Sequence, residues 1–372
     1  MTRDGRGERA TSDLARETRR CGIGTISREE VPWGWRLGRR GFLALMAAAA
    51  FFRGGVKREA FAATSVRGRS RVITVHDPRA SAAGTGFDNA DVDADVVRGM
   101  VQEGVLAFTG ARDLQTAWRQ IIPDPAKRVA IKVNCQIEAV YTKSKVVQPI
   151  VEGLLVAGVA AGNIVIYDMT DHAFHLAGFR RNSGPGVKVG TVSDFGGYSR
   201  FYNHRLARLL CNDLSGGLLP LPGVRFHCDY LINVPVLKAL DGYCGVTLSM
   251  KNHYGSIANP GEHHKDIMEH IPLVNSLPEI REKTRLVVLD AIFGSYRWVN
   301  GRDQKYLSRV DRLLLSDDPV AVDAVGWRLI EKLRKENGMA AVAPPPRYIQ
   351  RAAELGIGVA DPSRIELVQI TM

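Results

Sequence analysis

Short, nearly continuous apolar strands alternating with helical segments predict an α/β domain, its sheet mainly parallel and covered by helices on both faces. Three observations carry that prediction. Val129-Ala130-Ile131-Lys132-Val133 and Ile164-Val165-Ile166-Tyr167 are too short for helices and too apolar for a half-exposed sheet. Between them, Val146 to Ala157 has apolar residues at helical spacing. Finally, 310 residues follow a basic leader with no Ser/Gly/Pro-rich linker, enough for one large domain.

The elements run in order. Arg71 to Val75 reads as a first strand. Asp91 to Phe108 carries Val92, Val96, Val97, Met100, Val101, Val105 and Leu106 on a helical repeat. Val129 to Val133 is the next strand, and the helix Val146–Ala157 ends at Gly158 or Gly162. Strands follow at Ile164–Tyr167, Tyr230–Val234 and Leu286–Leu289, and Asp318-Pro319 opens a helix from Val320 to Leu333. The interval Phe179 to Gly223 is a Gly-rich insertion without a readable period.

Residues 1–62 have a different character. They hold 13 basic and 7 acidic side chains, against 37 and 32 in residues 63–372. Arg39-Arg40-Gly41-Phe42-Leu43 opens an eleven-residue apolar run to Phe52, and Ala60-Phe61-Ala62 supplies a small-x-small step. This is the pattern of a twin-arginine signal peptide, read by the twin-arginine translocase and cut by a signal peptidase. Eleven residues at about 1.5 Å each cover only about half of a ~30 Å hydrocarbon core, so a spanning helix is a poor alternative. The expectation is a periplasmic domain over 63–372, anchored only if the signal stays uncut, with no stable membrane span after cleavage. The leader also holds most of the basic excess. No basic run with interleaved aromatics remains beyond it, which argues against a nucleic-acid partner.

Almost every predicted strand ends in a polar residue. Val133 runs into Asn134, Tyr167 into Asp168, Leu289 into Asp290, and Asn233 lies within its strand. Singly, such residues are as well explained as caps of following helices. Together they outline a crevice at the carboxyl ends of a parallel sheet, where α/β proteins bind ligands. Lys132, Lys238 and Lys251 lie in or near the same segments, and a lysine within an apolar strand is costly unless it is paired or faces a cleft. Lysines bind anions as point charges, and desolvation suits them to base or Schiff-base work. The candidate site therefore has Lys132, Lys251, Asp168 and Asp290 as catalytic groups. Asn134, Asn233, Lys238 and Asn252 bind the ligand. On this reading, changing Lys132 or Lys251 to Met abolishes binding at little cost in stability.

Several stretches resemble one family. Val129 to Asn134, Tyr230-Leu231-Ile232-Asn233-Val234-Pro235-Val236-Leu237-Lys238 and Thr247-Leu248-Ser249-Met250-Lys251-Asn252-His253-Tyr254-Gly255 are similar to the Domain of Unknown Function 362 family. So are Val288 to Ala291, Asp317 to Ala324 and Ala353 to Gly358, which spreads the resemblance over essentially all of residues 63–372. The resemblance implies no settled activity; some members carry ferredoxin-type cysteine clusters. This chain departs from the pattern in having no C-x-x-C among Cys135, Cys211, Cys228 and Cys244, which argues against an iron–sulfur cluster. It also has Leu240 where members often have a histidine.

His253, His263 and His264 are candidate metal ligands beside the Lys251-Asn252 motif, although H-x-H and H-x-x-x-H spacings are absent. No other cofactor is indicated. Export into an oxidising compartment leaves a Cys228–Cys244 disulfide open. Two functions remain. One is an exported α/β protein, enzymatic or enzyme-like, binding a small anionic ligand with or without a metal. The other is a non-catalytic binding or assembly partner of a periplasmic redox complex. Convergence of the polar strand ends in one place favours the first.

Overall fold

The computed structural model describes residues 68–82, 84, 86–195, 197, 228–257 and 260–372. The leader with Arg39 and Arg40, Cys211 and most of the Gly-rich interval lie outside the described residues. Ala62–Met372 forms one compact unit.

The described residues build a single ten-stranded sheet, mostly parallel, with helices on both faces. In chain order the strands are β1 (Ser70–His76), β2 (Val129–Lys132), β3 (Ile164–Asp168), β4 (Lys188–Thr191) and β5 (Tyr230–Asn233). They continue with β6 (Val236–Leu240), β7 (Gly245–Thr247), β8 (Thr284–Ser295), β9 (Leu307–Ser316) and β10 (Ile365–Thr371). Their spatial order is β10-β1-β9-β8-β5-β2-β3-β4, with β6 pairing β8 and β7 pairing β6. From β4 to β8 every neighbour is parallel. The antiparallel pairs are β8 with β9, β9 with β1 and β6 with β7.

Helices α1 (Ala94–Thr109), α2 (Leu114–Ile121) and α3 (Ser144–Val156) cover one face. They pack on Ile73, Val75, Val129, Ile131, Ile164, Ile166, Ile232, Leu286, Val288, Leu313 and Leu315. The short α4 (Phe174–Ala177) follows β3. The other face buries the alternating residues. Val72, Val287, Leu289 and Leu314 meet α8 (Pro319–Glu336) and α9 (Arg347–Glu354). Ala130, Val165 and Leu231 meet Val274 of α6 (Ile267–Ser276) and Ile280 of α7 (Pro278–Arg281). Period-two alternation with both sides apolar is what a sheet covered twice requires.

Local chemistry sets the helix ends. Asp93 caps α1 by accepting from the N–H groups of Asp95 and Val96, and Gly110, at φ 70°, closes it in the left-handed region. Asp318 caps α8, whose first residue is Pro319. The Gly-rich interval contains strand β4, extending the parallel set to the sheet edge. Cys244 and Cys228 lie in separate apolar clusters, and no disulfide links them.

Candidate functional site

The carboxyl ends of β2, β3 and β5 meet in the middle of the parallel block. Lys132 is in register with Tyr167 on one side and Asn233 on the other. Register partners on parallel strands present their side chains on one face, here the face of Ala130, Val165 and Leu231. Over that face lies α5 (Ser249–Asn252), a single turn that brings Lys251 and Asn252 to the strand ends.

Lys132 is 1 % exposed and its Nζ donates three hydrogen bonds. They reach Asp168 Oδ1 at 2.6 Å, the Val133 carbonyl at 2.6 Å and Asn252 Oδ1 at 3.2 Å. An ammonium has three protons, so this one is saturated. Asp168 is equally occupied: Oδ1 also accepts from the Met169 N–H at 2.7 Å, and Oδ2 from the Cys135 N–H at 2.6 Å. The chain following α5 passes directly over this pair. A methyl group at Gly255 would lie 2.8 Å from both Lys132 Nζ and Asp168 Oδ1, so only glycine leaves room.

Three asparagines form a directed chain beside the pair. Asn233 Nδ2 donates to the Ser249 carbonyl at 2.8 Å, and its Oδ1 accepts from Asn252 Nδ2 at 2.8 Å. Asn252 Oδ1 in turn accepts from Lys132 and, at 3.0 Å, from Asn134 Nδ2. That leaves Asn134 Oδ1 to accept from Lys238 Nζ, also at 3.0 Å. The backbone carbonyl at one end fixes the orientation of every amide along the chain.

Lys238 differs from Lys132 in every respect but burial. It is 3 % exposed, and among the described residues its one hydrogen bond is to a neutral amide oxygen. Burial, then the neighbouring charge of Lys251, pushes its pKa down to about 7. Lys251 is partly buried, and its Nζ stands 4.8 Å from the Tyr254 ring centroid, with no hydrogen bond or ion pair among the described residues. Burial lowers its pKa as well. Asp323 holds α5 in place: fully buried, it accepts from the Ser249 N–H at 2.7 Å, the Ser249 hydroxyl, the Met250 N–H at 3.2 Å and the Tyr348 hydroxyl at 3.2 Å.

The structure thus brings together Lys132, Asn134, Asp168, Asn233, Lys238 and Asn252, with Lys251 at their border. Asp290 stands apart. It shares the parity of Val288, so it points to the opposite face of the sheet, where it accepts from the N–H groups of Lys143 (2.9 Å) and Ile292 (3.1 Å). Lys143 is itself wholly buried, its Nζ bonded to the Tyr141 carbonyl at 2.8 Å and lying 4.3 Å from that residue's ring.

The histidines divide. His253 is buried with Nδ1 3.3 Å from Ser256 Oγ, and burial together with the Lys132 charge pushes its pKa down to about 3. It lines a small cavity with Asn233, Asn275, Thr284 and Asp317, behind the site. His263 stacks on His270 at 3.8 Å, while His264 stacks on Tyr254 at 5.9 Å. Among the described residues no three or more His, Cys, Asp and Glu side chains are grouped to hold a metal ion. Sequence reasoning passed over Lys143 as a buried cation and Asp323 as the clamp on α5. Asp323 was visible as an acidic residue amid Val320-Ala321-Val322 and Ala324-Val325, where helical periodicity demands an apolar one.

A family model, Domain of unknown function (DUF362), matches residues 129–328. The match takes in every residue of the cluster and excludes the Ala353–Gly358 stretch. Comparison with curated proteins and with solved structures gives no match.

Proposed function

Since the chain belongs to the DUF362 family, whose description assigns no activity, we propose its function from the site: it binds a small anionic ligand, phosphate- or carboxylate-bearing, at Lys238, Lys251, Asn134 and Asn252. One observation supports this above the rest. Lys238 has the charges of Lys251, Asp168 and Lys132 as neighbours, and Lys132 already neutralises that carboxylate. Lys238 and Lys251 are left at the carboxyl edge of a parallel sheet with no anion paired to them among the described residues, a charge excess that a bound anion would balance. Lys132 and Asp168 serve as the frame that fixes the asparagines. Catalytic work falls to Lys238, whose depressed pKa makes it a base or nucleophile near neutral pH.

The test is calorimetric titration with inorganic phosphate and with small carboxylates. Lys251→Met should weaken binding about 10- to 100-fold, the worth of one charge-assisted hydrogen bond, at little cost in melting temperature. Unchanged affinity in that variant would remove Lys251 from the site.

We further propose that the domain is exported by the twin-arginine route. Arg39-Arg40, the apolar run behind it and Ala60-Phe61-Ala62 support this. Exchanging both arginines for lysine should hold the precursor in the cytoplasm on cell fractionation. Normal periplasmic accumulation of that variant would refute the route.

A further inference from the structure

We infer that Lys238 is an imine-forming amine, and that the ligand is a small oxo acid carrying a carbonyl beside or near its anionic group. The inference rests on the anion-binding reading and adds to it which lysine does what.

The three lysines have unequal claims on protons. Lys132 spends all three N–H bonds on fixed acceptors, one of them the Asp168 carboxylate. Among the described residues Lys238 has one acceptor, a neutral amide oxygen whose direction the asparagine chain sets. Its neighbours among the charged groups include two cations, Lys251 and Lys132, and Asp168 is taken up by other donors. A nitrogen so placed is better satisfied as a neutral amine, which keeps one N–H for Asn134 and frees its lone pair. An amine deprotonated by burial and by a neighbouring cation is the nucleophile that carbonyl chemistry requires. Lys251 keeps all three of its N–H groups unspent among the described residues and is the group to hold the ligand's anion and to give up a proton.

The step balances without a further reagent. The Lys238 amine attacks the carbonyl carbon, forming a C–N bond while the C=O electron pair moves to oxygen. That oxygen takes one proton from the amine nitrogen and one from the Lys251 ammonium. The C–O bond then breaks and the oxygen leaves as water. The nitrogen retains one hydrogen as an iminium, and Lys251 is reprotonated from solvent. Asn134 Oδ1 is placed to accept the N–H of that iminium.

Reductive trapping tests this on the full-length protein. Pyruvate and acetoacetate are incubated separately with sodium cyanoborohydride, and adducts are located by intact mass and peptide mapping. One adduct per chain is expected, on Lys238. It should be absent in Lys238→Arg and Lys238→Met, and at least about tenfold slower in Lys251→Met, the binding loss carried into the rate. Parallel calorimetry with pyruvate and with phosphate separates the two ideas. Binding without an adduct overturns the imine and leaves the anion site standing. An adduct spread over surface lysines, equally in native and urea-unfolded protein, overturns it too. Neither binding nor adduct overturns both.

Discussion

Replacing Lys132 by methionine should cost about 3–5 kcal/mol of stability, measured by urea or guanidinium unfolding. The expected loss comes from what stays behind. Asp168, 3 % exposed, would keep two backbone donors but lose the one cation that lies within bonding distance among the described residues. Val133 and Asn252 would each lose a donor as well. The sequence alone predicted a mild effect here, because a lysine facing a cleft contributes little to the core. The structure reverses that expectation for Lys132 and keeps it for Lys251. Lys132→Met combined with Asp168→Leu should recover part of the loss, since an apolar pair of similar volume removes both charges. A single variant as stable as the parent would show that the ion pair is not formed.

Lys238→Met should behave in the opposite way, and pH makes the difference visible. The folded-state pKa of Lys238 lies near 7, well below the ~10.4 of an exposed lysine. Between those values the unfolded chain binds a proton that the folded one does not, so stability rises with pH. Lysines 143 and 251, also lowered, act in the same direction. The buried thiols of Cys135 and Cys244 act oppositely, yet only above about pH 8.5 where an ordinary thiol ionises. The carboxyls of Asp317 and Asp323 and the imidazoles of His253 and His264 titrate below or near pH 7, with opposing signs. From about pH 7 to 8.5 the folded Lys238 loses its proton while its unfolded counterpart keeps it. Over that window Lys238 alone should add about 2 kcal/mol to the ligand-free protein, from roughly 1.4 kcal/mol for each pH unit of one proton. Lys238→Met should flatten most of that slope, and saturating phosphate should do so in the parent by stabilising the ammonium. A slope unaltered by the substitution would mean that Lys238 is not the titrating group.

Much of the fold could be read from the chain because its strands are buried on both faces. Ile164–Tyr167 and Val129–Val133 stand out as apolar runs, and Asp318-Pro319 marks the start of α8 without ambiguity. Strand β4, Lys188–Thr191, was lost in the Gly-rich interval because a four-residue edge strand carries too little period. Six of the eight residues proposed from sequence for the shared site converge: Lys132, Asn134, Asp168 and Asn233 stand at or just past the ends of the neighbouring parallel strands β2, β3 and β5, and β6 and α5 bring Lys238 and Asn252 to them. Asp290 could not be separated from them. Its strand alternates correctly, but which parity matches Lys132 depends on the register between β5 and β8, and that register is irregular between Leu231 and Ile232. The division of labour among the lysines was equally hidden, since it depends on counting acceptors around each nitrogen.

Strand β1 lies between β9 and β10, and its partnership with β10 joins Ser70 to Ile365 and His76 to Thr371 in parallel register. The Arg71–Glu366 side-chain pair across it spans 295 positions of sequence. Pairing at such separation carries a large loop-closure entropy and is among the slowest contacts to form. During synthesis β1 emerges before either of its partners, and both of its backbone edges stay unmatched until β9 and then β10 follow. The α/β block from β2 to β5 can assemble before then, whereas this seam cannot. Closing it late makes the seam a checkpoint: β1 and β10 can meet only after every described strand between them has been made.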